Sequence, residues 1–169
     1  PLIHEANRSG SDIAFDKSGH SGDLPIHCPT LRSGAQTVMK PEALSRWHHL
    51  LETKNFAAID ELLADNAVFQ SPVVHSPQVG KPVVALYLKS AAMLLMSGGN
   101  FHYTHEWWND QSAVLEFEVE VNGILVNGVD MIFWNAEGKI ERFKVMIRPL
   151  KAINLVHEAM GRLLAGAKP

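Results

Sequence analysis

The chain has 169 residues, 46% of them apolar, a formal net charge of −3 and an isoelectric point near 6.3. That length and composition suit one domain with a proper core, and the mild acidity without any basic block excludes nucleic acid and anionic membrane as partners. No apolar run approaches the roughly 20 residues of a membrane-spanning helix, Cys28 has no partner for a disulfide, and no signal-peptide pattern opens the chain, so the expected location is cytoplasmic.

Residues 1–40 are rich in Gly, Ser, Pro and His and carry no apolar period. They are expected to form a flexible extension to a domain spanning 41–169, because they bury too little to offset their ordering entropy. From Pro41 the pattern changes. Leu44, Trp47, Leu50 and Leu51 recur at helical spacing, and Pro41 suits a first turn. Asn55 stands where it can cap a second helix, whose Ile59, Leu62 and Leu63 share a face. A short strand is predicted at 67–70, followed by a loop punctuated by Pro72, Pro77 and Gly80. A third helix is predicted in KPVVALYLKSAAMLLM, apolar on most sides and therefore buried.

Beyond Gly98-Gly99 the apolar period becomes two. Strands are predicted at 101–108, 113–121, 124–134 and 139–147. Asn122-Gly123 marks a hairpin turn, and Gly138 in NAEG offers a left-handed bulge position. A last helix runs from Pro149, with Ala152, Val156, Ala159 and Met160 on one stripe. Helices come first and a meander follows, which makes the class α+β: a curved antiparallel sheet wrapped over helices.

This order of elements, with NAVFQSP after the second helix and GVDMIFWNAEGKI before the last strand, resembles the nuclear transport factor 2-like superfamily of cone-shaped α+β folds. That superfamily includes ketosteroid isomerases and SnoaL-like polyketide cyclases. The resemblance spans roughly residues 41–150, and its most specific motif is the strand Asp followed by the EGKI hairpin. Carried over to the ketosteroid isomerases, it implies that Asp130 occupies the position of a protonated Asp that donates to the substrate oxyanion. It puts Trp47 where that family has its oxyanion-hole Tyr, Ser71 where it has its catalytic Asp base, and Phe143, Val145 and Ile147 on the pocket wall. Two of three catalytic positions are therefore changed. An indole donates differently from a phenol, and a hydroxyl has no accessible pKa for taking a proton from carbon. The resemblance implies the fold, and not ketosteroid isomerisation by that mechanism.

Strand alternation builds a pocket by a separate route. Asp130 interrupts the apolar run from Val129 to Trp134, and a buried carboxylate must be paired, protonated or set against a cavity. Leu115, Phe117 and Val119 share a face on one strand, as do Asp130, Ile132 and Trp134 on the next. A bulge that resets the register by one brings Phe143, Val145 and Ile147 to the same wall. The expected site is thus an apolar pocket with one carboxyl group, closed by Trp47 and holding a small molecule. The alternative is a structural Asp, bonded to the Trp47 N–H or to backbone. His75 on the loop is the nearest replacement base, and Ser71 either bonds a ligand or caps a turn.

In FHYTHEWW, residues three apart point to opposite faces of a regular strand, so His102 and His105 do not chelate one ion. No metal and no cofactor are expected. Tyr103, His105 and Trp107 are expected to share a face, lending aromatic surface to the pocket or to a dimer. Val129, Met131, Phe133 and Met146 face outward and are too apolar for water, which points to a homodimer; the family resemblance implies one packed through its sheets. Two functions stay open, beside a dimeric scaffold with no ligand. One is a cofactor-independent isomerase, cyclase or lyase acting on a small apolar carbonyl compound. The other is a non-catalytic binding or accessory domain.

Overall fold

A computed structural model describes residues 39–166. The expectation of a flexible extension therefore lies outside the described residues, apart from Met39 and Lys40. No helix among the described residues is long and apolar enough to cross a membrane.

Helix α1 (Glu42–Thr53) buries the face predicted for it, with Leu44, Trp47, Leu50 and Leu51 inside. It stops where Lys54 takes a left-handed φ of 52° and turns its N–H back onto Leu51. The second helical segment is shorter than its pattern suggested. A 3₁₀ turn (Phe56–Ala58) leads into the four residues of α2 (Ile59–Leu62), and Asn55 precedes them without making a side-chain cap. Leu63 leaves the helix because it pairs with Ile140, so β1 (Leu63–Gln70) begins before the predicted start at 67. Then follow β2 (Gln78–Val79), α3 (Lys81–Leu95), β3 (His102–Trp108), β4 (Ser112–Val121), β5 (Ile124–Trp134), β6 (Ile140–Arg148) and α4 (Leu150–Gly166).

The six strands form one sheet in the order β2-β1-β6-β5-β4-β3. Strands β3 to β6 make the expected meander, joined at Asn122 and Gly123 by a turn in which both residues have positive φ. The sheet is mixed, however, and not wholly antiparallel as expected. Strand β1 runs parallel to β6. A parallel neighbour needs a long crossover, which α3 and the four intervening strands supply. The α+β class stands, with α3 packed on β1 and α4 against β5 and β6.

Two bulges decide which side chains face the helices. One, between Phe133 and Trp134, pairs Phe133 with Arg142 but Trp134 with Ile140. It brings Phe143, Val145 and Ile147 level with Ile132, Asp130 and Gly128 on the inner face. The other lies in β3, where Tyr103 pairs with Phe117 but His105 pairs with Glu116, leaving Thr104 as an extra residue. Tyr103 therefore points inward while His105 and Trp107 stack together outside, 5.7 Å apart between ring centroids. The expectation that Tyr103, His105 and Trp107 share a face fails for this reason.

Apolar burial divides into two clusters. Leu44, Ile59, Leu63, Leu115, Ile132 and Phe143 belong to the first, beneath α1 to α3. Phe117, Val119, Val126, Ala152, Val156 and Met160 belong to the second, beneath α4. Tyr87, Phe101, Tyr103 and Val145 border both. Gly128 lies where the Phe117 ring crosses β5. A Cβ there would stand 2.3 Å from Phe117 Cζ and 2.8 Å from the Met146 carbonyl oxygen. The ring can shift only by disturbing the second cluster, and the backbone oxygen cannot yield, so Gly128→Ala is expected to cost about 2 kcal/mol or more in urea unfolding.

Candidate functional site

Among the described residues, Ser90, Asn127 and Asp130 are the buried polar ones, and of these only Asp130 is ionisable. Asp130 sits at the centre of the inner face, between Leu115 of β4 and Val145 of β6. No Lys or Arg among the described residues reaches it. Its partner is Tyr103, whose hydroxyl donates to Asp130 Oδ2 at 2.8 Å. Trp47 Nε1–H from α1 donates in turn to the Tyr103 oxygen at 2.9 Å. Three elements thus contribute one residue each to a directed chain of hydrogen bonds. The alternative in which Trp47 bonds directly to Asp130 is replaced by this relay.

Burial dominates the electrostatics. Desolvation raises the Asp130 pKa from 3.8 to about 7, against the smaller opposing effect of the Tyr103 hydrogen bond. Burial and then the neighbouring carboxylate push the Tyr103 phenol well above its ordinary value, so it remains a donor. Beside the relay, the His48 ring stands edge-on to Tyr103 at 5.5 Å. Burial lowers the His48 pKa. Its Nε2 lies 3.1 Å from Glu106 Oε1, out of line for a hydrogen bond.

Asp130 and Tyr103 open onto a cavity of about 270 Å³. The cavity is the seam between the two apolar clusters: Tyr87, Phe101, Tyr103 and Val145, which border both, all line it. Of the residues expected at the site, Asp130, Trp47, Ser71, Tyr103, Phe143, Val145 and Ile147 line this cavity. Ser71 also accepts a hydrogen bond from the Val73 N–H at 3.2 Å, which holds the loop that follows β1.

The remaining expectations need correction. Leu115, Phe117, Val119, Ile132 and Trp134 share the predicted inner face but do not line the cavity. The first four are at most 1% exposed and are consumed by packing in the two clusters. Trp134 turns its N–H to the Asp110 carbonyl at 2.8 Å. His75 is exposed on its loop and away from the cavity, because that loop carries Ser71 to Val74 to the wall and His75 beyond it.

Sequence reasoning missed the helical wall. Tyr87, Ala91 and Leu95 of α3 and His157, Met160 and Leu164 of α4 line the cavity. A signal existed in the α3 sequence, which is apolar on more sides than a helix lying flat on a sheet requires. For His157 there was none, since it adjoins a stripe that reads as packing. Among the described residues no group of three or more His, Cys, Asp or Glu is arranged to hold a metal ion. The β3 bulge does turn His102 and His105 to the same outer face, opposite Glu118 and Glu116, contrary to the regular-strand expectation.

No family model matches this chain, and no curated protein does. Solved structures do. The chain is 34% identical to a steroid delta-isomerase from Pseudomonas aeruginosa, at a TM-score of 0.69, covering 73% of this chain and 90% of that one. It is 26% identical to a protein with a cystatin-like fold from Silicibacter pomeroyi, at a TM-score of 0.66, covering 72% and 84%. An NTF2-like protein of unknown function from Mesorhizobium loti shares the fold at 17% identity and a TM-score of 0.55, covering 64% and 89%.

The raised pKa makes Asp130 a stability cost at neutral pH. Between pH 3.8 and about 7 the unfolded chain has released this proton and the folded chain has not. Stability from this group is therefore complete below pH 3.8, falls as pH rises to about 7 and is level above it. Asp130→Asn still accepts from Tyr103 but carries no charge. It is expected to gain up to about 4 kcal/mol over wild type at pH 8, with the gain vanishing near pH 4. Urea unfolding at the two pH values checks this.

Proposed function

The chain belongs to the nuclear transport factor 2-like superfamily, and from that premise we propose that its cavity binds a small apolar molecule through one oxygen atom. We infer that it acts as a cofactor-independent isomerase, cyclase or lyase on a carbonyl compound, with Asp130 as the proton donor. The observation that carries this reading is the buried carboxyl at the cavity wall, held by Tyr103 and paired with no cation among the described residues. A purely structural Asp has no need of a cavity. A carboxyl with a pKa of about 7 is half protonated at neutral pH, which suits a general acid. The similarity to a protein described as a steroid delta-isomerase supports an apolar, oxygen-bearing ligand.

One observation favours a non-catalytic binding domain instead. The position of the family's base is Ser71, and His75 is exposed away from the cavity. His157 of α4 is the imidazole that lines it. A base drawn from α4 would sit at a different place from the family's own.

Two measurements separate these readings. The fluorescent ketone 2-acetylnaphthalene is expected to bind wild type below pH 7 and to lose at least about tenfold in affinity in Asp130→Leu, the worth of one buried hydrogen bond. Unchanged binding would remove Asp130 from the site. Conversion of a β,γ-unsaturated ketone to its conjugated isomer, in which the His157 imidazole would carry the proton from the α to the γ carbon while Asp130 donates to the carbonyl oxygen, should occur with wild type and not with Asp130→Leu, as followed by ultraviolet absorbance. Binding without conversion favours the non-catalytic domain.

We also infer a homodimer through the outer sheet face. There Val129, Met131 and Phe133 are half-buried within one chain and Met146 is 46% exposed. Arg142 covers the Phe133 ring at 3.8 Å, and Met131 lies between Val114 and Lys144 on the same face. Met131→Lys is expected to convert the dimer to monomer in sedimentation velocity, while a wild type that is monomeric at micromolar concentration rules the interface out.

A further inference from the structure

We propose that Trp47 is a positioning residue: its indole N–H occupies the acceptor face of the Tyr103 hydroxyl, commits the Tyr103 proton to Asp130 Oδ2, and leaves Asp130 Oδ1 as the group offered to a ligand. Three observations carry this. Trp47 Nε1 lies 2.9 Å from the Tyr103 oxygen, and Tyr103 in turn lies 2.8 Å from Asp130 Oδ2. An indole nitrogen can only donate, so the direction of the first bond is not in doubt and the phenol has one proton left to place. Trp47 is also 5% exposed and packed on Phe143 at 5.1 Å, which denies the indole another orientation.

The direction has a chemical consequence. Were the Tyr103 oxygen free, a protonated Asp130 could donate to it, and Tyr103 could turn its own proton into the cavity. With the indole in place, that arrangement is blocked. Neutral Asp130 carries its proton on Oδ1 and donates to a ligand carbonyl; ionised Asp130 accepts there from a ligand hydroxyl. The same cavity then selects a ketone at low pH and a phenol or alcohol at high pH. This ligand consequence rests on the function proposed above, whereas the relay itself does not.

Other titratable groups face the same region. Tyr103 and Glu106 come from β3, His48 from α1, Tyr87 from α3 and His157 from α4. Of these, only Tyr103 bonds to Asp130. The readout must therefore belong to Asp130 itself and not to a bulk pH profile.

The test is the titration of the Asp130 carboxyl carbon, followed by NMR in ligand-free protein labelled with ¹³C at aspartate. Replacing Trp47 by benzothienylalanine exchanges the N–H for sulfur at nearly constant shape, and Trp47→Phe is the simpler companion. Without the indole donor, Tyr103 is a weaker donor to the anion and is free to accept from the acid. The Asp130 midpoint is expected to rise by at least about half a pH unit. Tyr103→Phe should raise it too, and removing the indole N–H in that background should add nothing further. A merely structural role for Trp47 would lower thermal stability and leave the midpoint in place. An unmoved midpoint in the benzothienylalanine protein, or an equal shift with and without Tyr103, overturns the proposal. Binding of 2-acetylnaphthalene and 2-naphthol across pH forms the second arm. Their crossover should follow the NMR midpoint from wild type to variant. A midpoint that moves while neither probe binds supports the relay and overturns the proposed function.

Discussion

The site depends on the hydrogen bond from Tyr103 to Asp130. Thr104 is an extra residue in β3, so Tyr103 points inward to Asp130 while His105 and Trp107 remain outside. Without that donor, Asp130 would lie buried with no partner among the described residues, and its charged form would cost more than this fold could readily offset. With it, the carboxyl is held, among the described residues, by one neutral donor and no cation. It is stabilised enough to stay in place, and too little to be permanently ionised.

Packing explains why there is space beside that carboxyl. The inner face of the sheet is covered by two groups of side chains, one gathered under α1 to α3 and one under α4. They do not merge. Rings and branched side chains along their border, notably Phe101, Tyr103 and Val145, touch both groups and still leave a cavity between them. Close packing normally leaves no void of this size, so an apolar seam ending at a carboxyl is the usual makeup of a ligand pocket. The same packing removes Leu115, Phe117 and Ile132 from the wall, because side chains already cover them.

The residues that differ from the ketosteroid-isomerase pattern acquire different roles in this arrangement. Trp47 donates to Tyr103 and does not itself meet the carboxyl. Ser71 accepts from the backbone of the loop it begins and remains at the wall. Any proton chemistry then centres on Asp130, and a second titrating group would have to come from the helical side, where His157 lies.

Much of the fold was legible in the sequence, and the reason is local. The period-two run in β4, the Asn122-Gly123 turn and the stripes of α1 and α4 are dictated by which side chains water excludes and which backbone angles glycine permits. Asp130 was legible for the same reason, since a carboxyl in an apolar strand demands an explanation wherever the strand goes. What no local rule contains is the pairing between distant segments. The parallel seat of β1 against β6, the extra Thr104 that turns Tyr103 inward, and the contribution of α4 to the cavity each depend on contacts made only after the chain has folded. Alternation names the two faces of a strand, but a single inserted residue exchanges them. The sequence by itself therefore determined that a carboxyl would be buried in an α+β domain. Only the tertiary structure decided that a tyrosine, aimed by a bulge and backed by an indole, would hold it beside a cavity.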